Sequence, residues 1–163
     1  MSVNKYRPHV ILIPEDDANR QLAVGFLGHY AVADRVVEMR DPAGGWGRVL
    51  DIFESEYLNL LRANENAHVV MLIDFDEMGD DRKSQCNQRI PDDLKSRAFL
   101  IGSRETPEAL KKELGMPSEK IGEALAQDCN SNELGRWHHP HLRHNLDELR
   151  RMTSVLKQIV FQG

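Results

Sequence analysis

The sequence predicts an α/β fold built on a mostly parallel four-stranded sheet, and three observations predict it. Four short apolar runs, at 9–14, 35–39, 68–73 and 97–101, recur at roughly the 25–30 residue interval that βαβ units require. The segments between the first three carry apolar residues at helical spacing. The run from Val69 to Ile73 is continuous rather than alternating, the pattern of a strand buried on both faces, as in parallel sheets.

The elements follow in order. His9-Val-Ile-Leu-Ile-Pro14 reads as the first strand. Asp17 to about Tyr30 reads as a helix, with Leu22, Ala23, Phe26, Leu27 and Tyr30 on one face. Arg35 to Met39 is a short second strand, and Asp41-Pro-Ala-Gly44-Gly45-Trp46-Gly47 is a glycine-rich turn. A helix then runs to about Ala63 on the stripe Val49, Phe53, Tyr57, Leu60 and Leu61. His68 to Ile73 is the third strand. The polar stretch from Glu77 to Asp93 reads as a long loop, and such loops beside a site tend to be functional. Arg97 to Ile101 is the fourth strand. Thr106 can cap a helix that Pro107 starts and Gly115 stops. Ser118 opens a further helix to about Cys129. Pro140 starts a last one, with Leu142, Leu146, Leu149, Met152, Val155 and Leu156 on one side. Right-handed crossovers put helices on both faces of the sheet. The expectation is one Rossmann-like domain, with a core of about 9–101 and a helical C-terminal extension of about 104–160.

Composition narrows the class. The 163 residues suit one domain with a sizeable core. No apolar run approaches the ~18 residues of a membrane span. Met1 to Pro8 lacks the apolar stretch of a signal peptide, so the expected location is the cytoplasm. The two cysteines, Cys86 and Cys129, have no CxxC spacing and read as free thiols. The net charge of -5 is uneven: residues 1–96 carry 11 Lys/Arg against 17 Asp/Glu, and residues 97–163 carry 10 against 9. Bulk charge therefore does not draw this chain to nucleic acid. A local basic face with Arg143, Arg150, Arg151 and Lys157 still can, or those residues form an ordinary solvated helix face.

The chemistry concentrates at two strand ends. Asp74 and Asp76 directly follow the third apolar run, and residues two apart at a strand end project to the same side. Convergent carboxylates repel each other, and a hard cation such as Mg2+ or Mn2+ relieves that repulsion. Glu15 directly follows the first strand. In a parallel sheet all strands end at one edge, where such sheets bind ligands. Glu15, Asp74 and Asp76 would then meet across a short gap. Three carboxylates can hold one or two metal ions, and a pair ~3.5–4 Å apart serves in-line phosphoryl displacement. A Glu15 not committed to metal can act as general acid or base. Against this, Asp16 and Asp17 suit a helix N-terminus as cap and first-turn residues, and Asp74 with Asp76 suits an ordinary polar strand end.

The order of strand, Glu15, helix; strand, glycine turn, helix; strand, Asp74-x-Asp76-x-x-Gly79 resembles the Toprim domain. That domain is shared by topoisomerases, bacterial primases, small RNA-maturing nucleases and OLD-type nucleases of phage defence. The resemblance covers about 9–101. It implies Glu15 as catalytic glutamate and Asp74 and Asp76 as Mg2+ ligands in a nuclease acting on DNA or RNA. The Gly44-Gly45-x-Gly47 turn looks like its second-strand turn. The family often reads Glu-Gly-x-x-Asp after the first strand; here Asp16 stands for the glycine and Asn19 for the aspartate. These departures leave open a second class: a catalytically silent metal-binding or interaction module working with a larger partner such as an ATPase. The chain has no P-loop of its own. A third class, nucleotide-sugar transferases or phosphatases with a DxD motif, fits poorly with the small size and with the third-strand position beside Glu15.

Two features lie outside that frame. Trp137-His138-His139-Pro140-His141-Leu142-Arg143-His144 holds four histidines. It can bind a transition metal, with Cys129 as a further ligand, or contact a phosphate at the metal edge. It can also be polar surface around a capped helix, with Trp137 docked in the core. Trp46 can stack on a base or pack on its neighbouring helix. Lys83, Arg104 and Arg143 are the cations that could neutralise a phosphate.

Overall fold

The computed structural model describes residues 3–75, 79–103, 107–131 and 133–161. Asp76, Glu77, Arg104 and Thr106 lie outside the described residues. The strands are β1 (His9–Pro14), β2 (Val37–Met39), β3 (Ala67–Leu72) and β4 (Ala98–Ile101). The helices are α1 (Asp17–Leu27), α2 (Trp46–Ile52), α3 (Leu58–Ala63), α4 (Gly79–Gln88), α5 (Pro107–Leu114), α6 (Ser118–Ser131) and α7 (Leu146–Val160). A π-helical turn, Phe53–Tyr57, joins α2 to α3. The sheet is wholly parallel in the order β2-β1-β3-β4. The expected Rossmann-like architecture is therefore present, with helices on both faces.

Strand alternation divides the core into two layers. Ile11, Ile13, Val69, Met71 and Leu100 pack with Val49, Leu50, Phe53 and Leu61 on one face. Val10, Leu12, Val70, Phe99 and Ile101 pack with residues of α1, α5, α6 and α7 on the other. Helices α1 and α6 touch backbone to backbone. A Cβ on Gly25 would lie 2.0 Å from the Glu119 carbonyl oxygen, and one on Gly122 would lie 2.0 Å from that of Leu22.

Several elements differ from the sequence expectation. The expected loop from Glu77 to Asp93 contains α4 and a 3-10 turn, Asp92–Leu94. The α4 sequence, GDDRKSQCNQ, offers a single apolar anchor, Cys86, so hydrophobic periodicity has nothing to register. Tertiary contacts hold it instead. Cys86 is fully buried. Beyond the helix end, Arg89 donates to Glu54 at 2.6 Å and to Asp51 at 2.7 Å. Helix α1 stops at Leu27, and Tyr30 is 86% exposed rather than part of its apolar face.

The last helix does not start at Pro140. A 3-10 turn, Arg143–Asn145, precedes α7, which begins at Leu146. This delay lets Asn145 face the sheet. Its amide accepts from Gly102 N at 3.1 Å and donates to Gly102 O at 2.8 Å. One turn on, Glu148 accepts from Leu100 N at 3.0 Å. Arg151 donates to the carbonyl of Ala98 at 2.9 Å and to that of Lys95. Side chains at helical spacing thus satisfy the outer edge of β4, which otherwise presents unpaired backbone to any passing strand. Arg151 accordingly belongs to this edge rather than to a free basic face.

Candidate functional site

The sheet order places the site. From β1 the chain crosses one way to β2 and the other way to β3, so the order reverses between β1 and β3. Helices on either side diverge there and open the crevice in which such sheets bind ligands. Pro14 is paired with Leu72, so Glu15 and Asp74 leave adjacent strands side by side. The Glu15 amide continues the ladder to Leu72 O at 2.9 Å. Its carboxylate then turns across the gap and accepts the Asp74 amide at 2.7 Å.

Each neighbour of this pair comes from a different element. Gly44, at φ +93°, donates its amide to Glu15 O at 2.8 Å, which ties the glycine turn to the end of β1. Ser103 extends β4 by accepting the Phe75 amide at 3.0 Å. Its hydroxyl lies 3.5 Å from the buried Asp74 carboxylate. Arg82 of α4 donates to the Asp74 carbonyl at 2.7 Å, and its guanidinium stands 5.1 Å from the centre of the Trp46 ring. Trp46 itself packs against the α2 face of the core. Gly102 is held against the end of β3: a Cβ there would lie 1.8 Å from Ile73 O.

The Glu15 carboxylate therefore meets the backbone amide of Asp74, while Asp76 lies outside the described residues. Asp16 and Asn19 do not join them. Asp16 caps α1, accepting the Asn19 backbone amide at 2.9 Å and its side-chain amide at 3.0 Å. Asp17 pairs with Arg20 at 3.3 Å. Both follow the capping alternative. Sequence reasoning missed Ser103, because a lone serine after a strand carries no signal. It also missed Arg82, because α4 shows no periodicity.

The histidine cluster divides. His144 donates from Nε2 to Gly102 O at 2.7 Å and meets the Phe75 ring edge-on at 5.4 Å, so it supports the sheet edge. His139 and His141 approach Glu113 of α5 at 3.2 and 2.8 Å. His139 Nδ1 accepts the His141 amide at 3.1 Å, which leaves its proton on Nε2, facing Glu113. The two imidazoles thus share one carboxylate. Cys129 borders Trp137, whose indole donates to Leu125 O at 3.2 Å inside the core, and burial pushes the Cys129 thiol up to about 12. Trp137 is thus docked in the core. Among the described residues, no group of three or more His, Cys, Asp and Glu side chains is arranged to hold a metal ion. No described helix is long and apolar enough to cross a membrane.

Comparison of the chain with family models, with curated proteins and with solved structures returns no match. The class defined by fold and edge geometry is a parallel α/β domain with acidic residues at its switch point. The Toprim resemblance rests on the residues alone.

Proposed function

We propose that this protein is a Toprim-type, Mg2+-dependent phosphoryl-transfer enzyme, a nuclease acting on DNA or RNA in the cytoplasm. The observation that carries this reading is the contact of the Glu15 carboxylate with the Asp74 amide at 2.7 Å, at the switch point between β1 and β3. Glu15 and Asp74 both carry carboxylates, the ligand type that suits Mg2+ or Mn2+. Glu15, Asp74 and Asp76 would hold the ion, which when bound polarises a phosphoryl oxygen and favours a deprotonated attacking water. Glu15 is half-buried beside the crevice and serves as the proton acceptor or shares the metal. Arg82 and Ser103 keep Asp74 at the end of β3.

The test is cleavage of single- and double-stranded DNA and RNA in Mg2+ and in Mn2+. Glu15→Gln, Asp74→Ala and Asp76→Ala should each lower metal-dependent turnover by about a hundredfold or more, the usual scale for loss of a general base or metal ligand. Unchanged turnover in Asp74→Ala would sink the mechanism.

The Asp16–Asn19 pairing favours a second reading. The resemblance implies a glycine and an aspartate at these positions, and here the two side chains bond each other as a helix cap. A silent module working with a larger partner, such as an ATPase, needs no carboxylate there. Calorimetry showing Mn2+ binding lost in Asp74→Ala, with no cleavage of any nucleic acid, would select this reading.

A further inference from the structure

A phosphodiester that approaches the carboxylates of Glu15 and Asp74 is repelled by them. The net charge of -5 supplies no attraction from a distance. Exposed charges are screened beyond about 8 Å at physiological ionic strength, so only cations fixed beside the edge can offset that repulsion. A bound Mg2+ offsets part of it. Arginines that are near the edge and not committed to protein groups are the remaining source.

Most arginines around the sheet are committed. Arg40 holds Glu56 at 2.7 Å, and Arg89 holds Glu54 at 2.6 Å and Asp51 at 2.7 Å. Arg82 holds the Asp74 carbonyl, and Arg151 holds Glu148 and the edge of β4. Arg48 and Arg143 differ. Both are exposed, and among the described residues neither guanidinium has a hydrogen bond or an ion pair.

Each of these two stands at the carboxyl edge. The Arg48 stem rests on the glycine turn, with its Cδ 3.7 Å from the place a Cβ on Gly44 would take. Gly44 in turn donates to Glu15 O at 2.8 Å. Arg143 opens the 3-10 turn whose next two residues, His144 and Asn145, donate to Gly102 O at 2.7 and 2.8 Å, just past β4. In the order β2-β1-β3-β4, Glu15 and Asp74 therefore lie between the two arginines. The ends of β1 and β4 are two strand spacings apart, about 10 Å, the reach of a few nucleotides.

We propose that Arg48 and Arg143 hold phosphates of a nucleic-acid strand lying across the carboxyl edge, one on each side of the phosphate that faces Glu15 and Asp74. Guanidinium groups suit this role because they bond phosphate oxygens in pairs. The path rests on the nuclease reading and adds the direction of the substrate to it: from the glycine turn, over the two carboxylates, to the end of β4.

The experiment uses the full chain with fluorescein-labelled oligothymidylate and oligouridylate, in Ca2+, and follows binding by polarisation against salt concentration. Each phosphate contact on a single strand contributes about 0.7 to the slope of log affinity against log salt. Arg48→Ala and Arg143→Ala should each lower that slope by about 0.7, and the double variant by about twice as much. Arg48→Lys, which keeps the charge, should keep the slope. Arg7→Ala removes an exposed arginine ahead of β1, at the opposite end of the sheet, and should change nothing. Because Arg48 and Arg143 bond no protein group, the thermal midpoint should stay in place in all of these variants. An unchanged slope in Arg48→Ala overturns the path, as does an equal loss in Arg7→Ala or an absence of saturable binding by the unaltered protein. Cleavage in Mg2+ with an unchanged slope would remove the path and leave the nuclease. An arginine-dependent slope without cleavage would keep the path and remove the nuclease.

Discussion

At Gly102 a single missing methyl group decides the geometry of the sheet edge. Its backbone lies so close to β3 that a Cβ would sit 1.8 Å from the Ile73 carbonyl oxygen, within the strand end that carries Asp74. Gly102→Ala should therefore lower stability by about 3 kcal/mol, the upper part of the overpacking range, and displace Asp74. Urea unfolding beside a Mn2+ titration measures both. Burial governs the thiols in a similar way. Cys86 is pushed up to about 11 and Cys129 to about 12 because burial disfavours either thiolate. Cys86, fully buried, should resist iodoacetamide in the native state at mildly alkaline pH and react at the rate of unfolding, whereas the half-buried Cys129 should react slowly in the folded protein because its thiol is held up, as mass spectrometry of alkylation against urea concentration would reveal. A fast-reacting thiol in the folded protein would contradict that burial. Glu15 and Asp74 were legible at this scale because each directly follows an apolar run. Ser103 and Arg82 were not, since their roles depend on atoms distant in sequence.

Among the elements, α7 carries two patterns at once. Its apolar side was plain in Leu149, Met152, Val155 and Leu156, because burial repeats with the helical period. Its polar side looked like a solvated face, yet Asn145, Glu148 and Arg151 follow the same period to reach β4. Glu148 is buried and accepts from both Leu100 N at 3.0 Å and Arg151 Nε at 2.6 Å. Glu148→Ala strands a buried amide and removes the partner of a guanidinium, so it should cost about 2 kcal/mol. Hydrogen exchange should then accelerate at Leu100 and Gly102 more than at β1 amides. Uniform acceleration would show that α7 does not protect this edge. Helix α4 gives the opposite lesson. The buried Cys86, Arg82 on the Asp74 carbonyl and Arg89 just past its end hold it, and no periodic signal betrays it.

Across the whole molecule, acid stability couples to the packed sheet through His68. It sits on β3 with its Nδ1–H directed at the carbonyls of His9, at 3.1 Å, and Asn66, at 3.0 Å. Burial holds its pKa below the ordinary 6.5, outweighing those bonds, and the Arg97 charge acts in the same direction. The neutral ring is thus favoured in the folded state. Its contribution is complete above pH 6.5 and is lost as pH falls through the depressed folded value, because the unfolded chain takes up the proton first. Replacing His68 with Gln should flatten the acid side of the stability profile between pH 6.5 and the depressed folded value, measured by urea midpoints. An unchanged slope would remove His68 from the acid response.

The sequence by itself determined the alternation of four strands with helices, the two faces of each strand and the carboxylates at two strand ends. These are local consequences of side-chain period and of where an apolar run stops. Tertiary structure alone decided that β1 and β3 are neighbours, which brings Glu15 to the Asp74 amide. It also decided that α4 exists, that α7 seals β4 and that one layer of the core is less tightly packed than the other. Each of these depends on contacts between segments far apart in the chain, and no local pattern encodes such distances.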